Sequence, residues 1–182
     1  LCPEVLRPAN VYSGQPGRGY AVFPAQDGNA VGVVSLLGRT FVATQADCPF
    51  AAADRIVDDL KAKGATVMVV DFHAEATSES IALGRYLDGR ESAVLGTHTH
   101  VPTADEVVLP NGTAYQTDVG MVGGRDSVLG RNTAAVLHRF STGMPARFTV
   151  VEHGIRLHAT LLRVNPETGR ALSVERVVRD YD

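Results

Sequence analysis

Apolar residues in this chain fall into short runs that end at glycine or at a polar turn, with striped stretches of helical period between some of them. Residues 20–25 and Ala30–Leu37 are two such runs joined by Gln26-Asp27-Gly28-Asn29. Asp-Gly between two runs predicts a hairpin. Residues 5–11 read as a further short strand, with Pro8 marking an edge position or a strand end. Asp47-Cys48-Pro49 reads as a helix start, with Ala52, Ile56, Val57 and Leu60 on one stripe and a stop before Gly64. Residues 66–72 predict a strand that ends at His73. Thr77-Ser78-Glu79-Ser80 has the composition of a helix cap, with a helix continuing through residues 81–87. Residues 92–96 predict the next strand. The stretch 49–100 is therefore helix–strand–helix–strand, a parallel α/β arrangement.

Residues 106–110 and 113–117 flank Asn111-Gly112, a second hairpin signal. Residues 123–130, with two consecutive glycines, read as a flexible loop, and residues 132–140 as a helix carrying His138. Beyond Arg147 the chain alternates in three segments, 147–152, 155–164 and 171–179, which predict a three-stranded antiparallel meander. The expectation is a single α/β domain over residues 1–182, with the meander over 147–180.

Composition narrows this only a little. The chain has 182 residues, 45% hydrophobic and 20% charged, which is ordinary for one globular domain. No apolar run reaches the length of a membrane span. Net charge is −3 and no basic cluster occurs, which argues against an extended nucleic-acid surface. An anionic substrate would have to be drawn by a local site. Cys2 and Cys48 lack CxxC spacing and no basic-then-apolar leader is recognisable, so a reduced, cytoplasmic setting is expected. The chain opens on Leu1, and its first ten residues read like the middle of a protein, so a processed or truncated chain is expected.

The candidate chemistry sits at the ends of the two central strands. In Val94-Leu95-Gly96-Thr97-His98-Thr99-His100 an apolar run stops at glycine and two histidines follow. Ligands collect at the carboxyl ends of strands in open α/β sheets. An extended His98-Thr99-His100 would point both imidazoles to one side, roughly 6.5–7 Å apart at Cα. His73 ends the neighbouring run and would lie beside them. Three imidazoles suit Zn, Fe, Mn or Ni, and the competing reading is satisfied surface histidines. Asp71 and Glu75 could be ligands or could accept from an imidazole N–H. Asp118 could orient a histidine or close a turn, and Arg39 could reach a phosphate or stay solvated. Nothing in the sequence pairs His153 or His158 with this rim.

Five segments together carry a resemblance. They are Leu6-Arg7-Pro8-Ala9-Asn10, Gly38-Arg39-Thr40-Phe41, Asp71-Phe72-His73-Ala74-Glu75-Ala76-Thr77-Ser78-Glu79, Gly96-Thr97-His98-Thr99-His100-Val101-Pro102-Thr103-Ala104-Asp105 and Thr117-Asp118-Val119-Gly120-Met121. In combination they resemble the bacterial YmdB-like metallophosphoesterases of the calcineurin-like phosphoesterase superfamily, over essentially the whole chain. The resemblance implies a four-layer α/β sandwich of metallophosphoesterase type, with this chain as its C-terminal portion and the N-terminal part of the fold missing. It implies two divalent transition-metal ions, usually iron, with manganese or zinc as alternatives. The implied reaction is hydrolysis of phosphoesters such as 2′,3′-cyclic nucleotides by a metal-activated hydroxide. By motif match, His73 and His98 would be ligands of one ion and His100 a ligand of the other. The family's remaining ligands and its general-acid histidine belong to motifs that would precede Leu1, so no catalytic residue is assigned within the chain. The isolated chain is expected to be inactive. Two other readings stay open: a non-catalytic metal-binding or scaffold domain, and the capsule-synthesis relatives that share Gly-x-His-x-His. The expected partner is a small phosphoester, without a membrane, and a homo-oligomer is left open.

Overall fold

The structure, a computed structural model, describes Cys2 and residues 4–182. It begins with the expected hairpin: β1 (Tyr20–Pro24) pairs antiparallel with β2 (Ala30–Leu37), and Phe23 lies opposite Val31. Gly28 takes φ +85° in the turn, a conformation open to glycine at little steric cost. Next come α1 (Pro49–Ala62), β3 (Val67–His73), α2 (Thr77–Tyr86) and β4 (Ala93–Thr97). A short hairpin follows, β5 (Val107–Val108) with β6 (Ala114–Gln116). The six strands form one sheet in the order β1-β2-β3-β4-β6-β5. Its central strands β2, β3, β4 and β6 are parallel, and the two edges are antiparallel.

Strand periodicity divides β3 between two faces. Met68, Val70 and Phe72 are buried with Leu36, Val94 and the helical residues Ile56, Val57, Leu60 and Leu83, together with Leu87 just beyond α2. Val69 faces the other way, where it packs with Ala93, Leu95, Ala114, Ala171, Leu162 and Val174. That second face is covered by another sheet, ordered β7-β8-β9, in which β7 (Val122–Gly124), β8 (Ile155–Val164) and β9 (Ala171–Tyr181) run antiparallel. Helices, the six-stranded sheet and the three-stranded sheet thus stack as layers of an α/β sandwich. The last helix, α3 (Thr133–Thr142), starts at Asn132, whose side chain accepts from the Ala135 N–H, and ends at Gly143 in the left-handed region. Among the described residues no helix is long and apolar enough to cross a membrane.

Four local expectations are corrected. Residues 5–11 form no strand beyond a single bridge from Leu6 to Arg18. The segment is instead tied to β2 by scattered bonds, Ala9 N–H to Ser35 O at 2.8 Å among them, because Pro8 has no N–H to continue a ladder. Gly123 and Gly124 are not loop residues but sit in β7. A Cβ on Gly124 would come within 2.6 Å of Val151 Cγ1, so the glycine allows a close approach between chain segments. Consequently the third strand of the meander is β7, not residues 147–152. Those residues bond to the loop before α3 instead, through Asn132 N–H to Thr149 O and Val151 N–H to Gly130 O. Finally, α2 has no side-chain cap; Ala76 holds the cap position, and Glu79 is used elsewhere.

One buried carboxyl ties the stability of the fold to pH. Glu91 precedes β4, at the opposite pole from the histidines. It is 3% exposed, and neither carboxylate oxygen has a hydrogen-bond partner among the described residues. Burial pushes its carboxyl up to about 7, against the opposing pull of Lys61 and Arg90. The unfolded carboxyl keeps its ordinary value of 4.5, so the native state binds more protons between these values and stability falls as pH rises through them. Glu91→Gln should flatten that slope and raise stability above pH 8 by roughly 1–3 kcal/mol, read from urea midpoints across pH. An unchanged slope would show that Glu91 is not the group responsible.

Candidate metal centre

The site is built where β3 and β4 end. Parallel register sets His73 opposite Thr97 and Asp71 opposite Leu95. Asp71, His73, Leu95 and Thr97 therefore share the face away from the helices. Thr97 Oγ1 donates to Asp71 Oδ1 at 3.1 Å and lies 3.1 Å from His73 Nδ1. Since its proton is given to the carboxylate, the hydroxyl accepts from His73 Nδ1–H. That fixes the tautomer and leaves His73 Nε2 with a free lone pair. Ser35 Oγ adds a bond to the other oxygen of Asp71, at 3.3 Å.

His98 Nδ1 stands 3.1 Å from His73 Nε2, with the rings edge to face. Its far nitrogen, Nε2, is 3.9 Å from Glu75 Oε2. The His73 imidazole is held below its ordinary pKa, by burial first and by the neighbouring His98 second; Asp71 and Asp118 oppose the shift. Both effects favour the neutral ring, which is the form that binds metal.

The loop that carries His98 and His100 is not extended. His98 has φ +152° and His100 φ +66°, so the chain bends here and does not continue the strand. Asp118, 1% exposed, holds this shape. Its Oδ2 accepts from Thr99 N–H at 2.7 Å and Thr99 Oγ1 at 2.8 Å, and its Oδ1 accepts from Gly120 N–H at 2.8 Å. Asp118 thus closes a turn directly and places the histidines through Thr99. Gly96 is obligatory, because a Cβ there would overlap the Thr117 carbonyl.

His73 and His98 are brought together, and His100, near enough to disfavour a charge on His73, lines a cavity of about 140 Å³ with Arg125, Arg156 and His158. His158 is a residue that sequence reasoning leaves unpaired. Its Nδ1 is buried without a partner among the described residues, and its backbone N–H donates to Met121 O. A loop reading of residues 123–130 hides this role, since β7 is what aligns β8 with the rim. Sequence reasoning also misses Glu79 as a member of the site. Its carboxylate accepts from the N–H groups of Arg39 and Thr40, all at 3.0 Å, and Gly38 N–H donates to His73 O at 2.8 Å. The Arg39 loop is thereby strapped to the rim. His138 is exposed on α3, away from these contacts.

Among the described residues no three His, Cys, Asp or Glu side chains converge as a ready-made ion site. The donor chemistry of the first pair nonetheless fits a transition metal. Two nitrogens 3.1 Å apart, each ~2.0–2.1 Å from one ion, would subtend about 100° at it. His73 and His98 therefore offer one edge of a coordination shell, and the other ligands must be added to it.

A parallel sheet with imidazoles and carboxylates at its carboxyl rim, covered by helices on one face and a second sheet on the other, makes this a layered α/β sandwich with its candidate site at the strand ends. Residues 2–177 match the model of the YmdB-like protein family. The chain is 46% identical over 180 residues to the 2′,3′-cyclic-nucleotide 2′-phosphodiesterase of Bacillus subtilis, covering 99% of this chain and 67% of that protein. A crystal structure of a hypothetical protein from Thermus thermophilus superposes with TM-score 0.87 at 44% identity, over 97% of this chain and 68% of that one. A novel phosphatase from Mycoplasma pneumoniae superposes with TM-score 0.85 at 31% identity, over 98% of this chain and 64% of that one. The chain belongs to the YmdB-like family, and it spans about two thirds of the length of these relatives.

The Asp71–Thr97–His73 line yields a test. Thr97→Val keeps the shape of the side chain but removes the hydroxyl that fixes the His73 tautomer. Metal affinity should drop about 10–100-fold, the usual loss when the partner of a ligand histidine is removed. Titration of metal into the variant, followed by calorimetry, measures this; wild-type affinity would exclude the relay.

Proposed function

We propose that the protein is a metal-dependent phosphoric ester hydrolase that acts on small phosphodiesters of the 2′,3′-cyclic nucleotide type, in the cytoplasm. The observation that carries the reading is the His73–His98 pair, pre-oriented by Thr97 and Asp71 at the carboxyl rim. The name of the Bacillus subtilis relative supports the substrate class. Two divalent transition-metal ions, iron first with manganese or zinc as alternatives, would polarise the phosphoryl oxygens and activate the attacking water. His73 and His98 would hold one ion through Nε2 and Nδ1. His98 would then carry its proton on Nε2, on the side of Glu75, whose carboxylate stabilises that tautomer. His100 would serve the second ion. Arg39, whose guanidinium has no ion pair or hydrogen bond among the described residues, would take up negative charge on the phosphate.

Elemental analysis of the full-length protein should find close to two metals per chain. His98→Ala should weaken binding by about an order of magnitude or more, whereas His138→Ala should retain metal. Unchanged content in His98→Ala and His100→Ala would remove the site assignment.

Hydrolysis of 2′,3′-cyclic AMP should vanish on chelation and return on addition of iron or manganese. Turnover that survives complete chelation would reject metal dependence.

A further inference from the structure

Strand β8 turns Arg156, His158 and Thr160 to one face, since residues two apart on a strand share a side. That face looks toward the six-stranded sheet, where Thr160 Oγ1 donates to Gln116 Oε1 at 2.6 Å. Arg156 is held as well, by Asp180 of β9, with Nε to Oδ1 at 2.7 Å and Nη2 to Oδ2 at 2.9 Å. His158 is the exception among the three. Its ring has no hydrogen-bond partner among the described residues.

Its seat is nevertheless specific. Gly120 takes φ +85°, and a Cβ there would come within 2.9 Å of His158 Cβ, 3.1 Å of its Cγ and 2.9 Å of Pro102 Cδ. The glycine thus lets His158 lie against the turn that follows β6. Asp118 makes that turn by accepting from Gly120 N–H, and the same carboxylate accepts from Thr99, between His98 and His100. One buried side chain therefore sets both the loop of His100 and the surface on which His158 rests. The His158 backbone N–H, bonded to Met121 O at 3.1 Å, fixes β8 at this level.

His158 and His100 line the same cavity of about 140 Å³. At ~30 Å³ per water it holds about four or five water-sized groups, the bulk of a phosphate with its oxygens. The other polar side chains of the wall are occupied. Asp180 holds Arg156 and lies 3.5 Å from Arg125 Nη1, while Ser127 Oγ donates to Gly124 O and accepts from Gly130 N–H. The two imidazoles are what remains to meet an occupant. Of the two ring nitrogens of His158, Nδ1 is the buried one. A proton there would be a buried donor with no acceptor, and orphaned N–H groups are rarer in folded proteins than under-used acceptors. The ring proton therefore belongs on Nε2, the nitrogen left open at the cavity.

We propose that His158 is a further substrate-binding residue, whose Nε2–H donates to an oxygen of the phosphoryl group facing His100. This rests on the metal-dependent hydrolase reading above, in which His100 serves the second ion. A phosphoryl oxygen suits the imidazole N–H because a charged acceptor makes the bond roughly twice as strong as a neutral one. The bond also acts where negative charge grows as the nucleophile adds. His158 holds no ion and moves no proton in this role.

The experiment uses the full-length, metal-loaded protein with inorganic phosphate as the probe, titrated by calorimetry. His158→Leu should weaken phosphate binding about ten- to a hundredfold, the loss of a hydrogen bond to a charged acceptor. His158→Gln, whose amide N–H reaches a similar point, should restore most of it. His153→Leu, in the exposed turn before β8, should match the wild type. Metal content should stay at the wild-type level in all three, and kcat/KM for 2′,3′-cyclic AMP should fall with phosphate affinity in His158→Leu. Equal losses in His158→Leu and His158→Gln would assign a packing role and overturn the contact. Loss of metal from His158→Leu, unchanged phosphate binding in it, or a wild type that binds no phosphate would overturn it as well. In the wild type loaded with zinc, the Nε2 proton resonance of His158 should shift when phosphate is added, and an unmoved resonance overturns the contact without any variant. If the wild type binds phosphate but leaves the cyclic ester intact, the phosphodiesterase reading fails, and a phosphate-dependent shift of that proton still supports the binding residue.

Discussion

The hydrogen-bonded line from Asp71 through Thr97 to His73 is the constraint on which the rest of the site depends. It exists because β3 and β4 are parallel and in register, with His73 opposite Thr97. Residues two apart on a strand share a face, so Asp71 and His73 both meet the Thr97 hydroxyl. A slip of one residue would turn these polar groups into the helix-facing core beside Phe72 and Val70 and expose apolar side chains in their place. The two hydrophobic layers, Leu60 and Leu83 on one side and Ala93 and Ala171 on the other, enforce the register that the polar line requires. Stability and site geometry are therefore set by the same alternation.

The second requirement is a short approach between β4 and the chain just past β6. With glycine at position 96 the Thr117 carbonyl comes close, and Val119 N–H donates to Gly96 O at 2.9 Å. This brings Asp118 beneath the His98–His100 loop, where it takes three N–H and O–H donors. A buried carboxylate with that many donors is satisfied without a counter-ion. The non-glycine residues His98 and His100 can then be held at positive φ, a conformation costing of order 1–3 kcal/mol each when unsupported. Glu91 marks the contrast. It is buried to a similar degree but has no donors among the described residues, and its carboxyl is displaced upward in consequence.

Glu79 shows how a residue's local reading yields to tertiary structure. In sequence it completes a capping pattern at the start of α2. In the fold it reaches across to the backbone of Arg39 and Thr40, since Ala74 and Gly38 meet so closely that the loop after β2 runs over the helix N-terminus. The helix gives up a side-chain cap, and the rim gains a fixed loop that carries Arg39 and Phe41. Backbone donors from a distant segment satisfied this carboxylate better than its own first turn.

Much of this protein was determined by sequence alone. The hairpin at Asp27-Gly28, the helix opened by Pro49, the apolar runs ending at His73 and Gly96, and the parallel order they imply all follow from local periodicity and turn chemistry. So does the meeting of His73 with His98, because adjacent parallel strands carry their last residues to one rim. The tertiary structure decided what depends on contacts between distant segments. Thr97 and Ser35 became partners of Asp71 only when their strands were aligned. Gly123 and Gly124 became a strand because β8 offered a free edge, and residues 147–152 lost that place to them. His158 came to the cavity of His100 through the same pairing. A threonine, a serine or a glycine carries no local signal for such roles, since each is common in turns and strands alike. Their function is a matter of distance, and the sequence pattern specifies faces and ends, not which side chains meet across them.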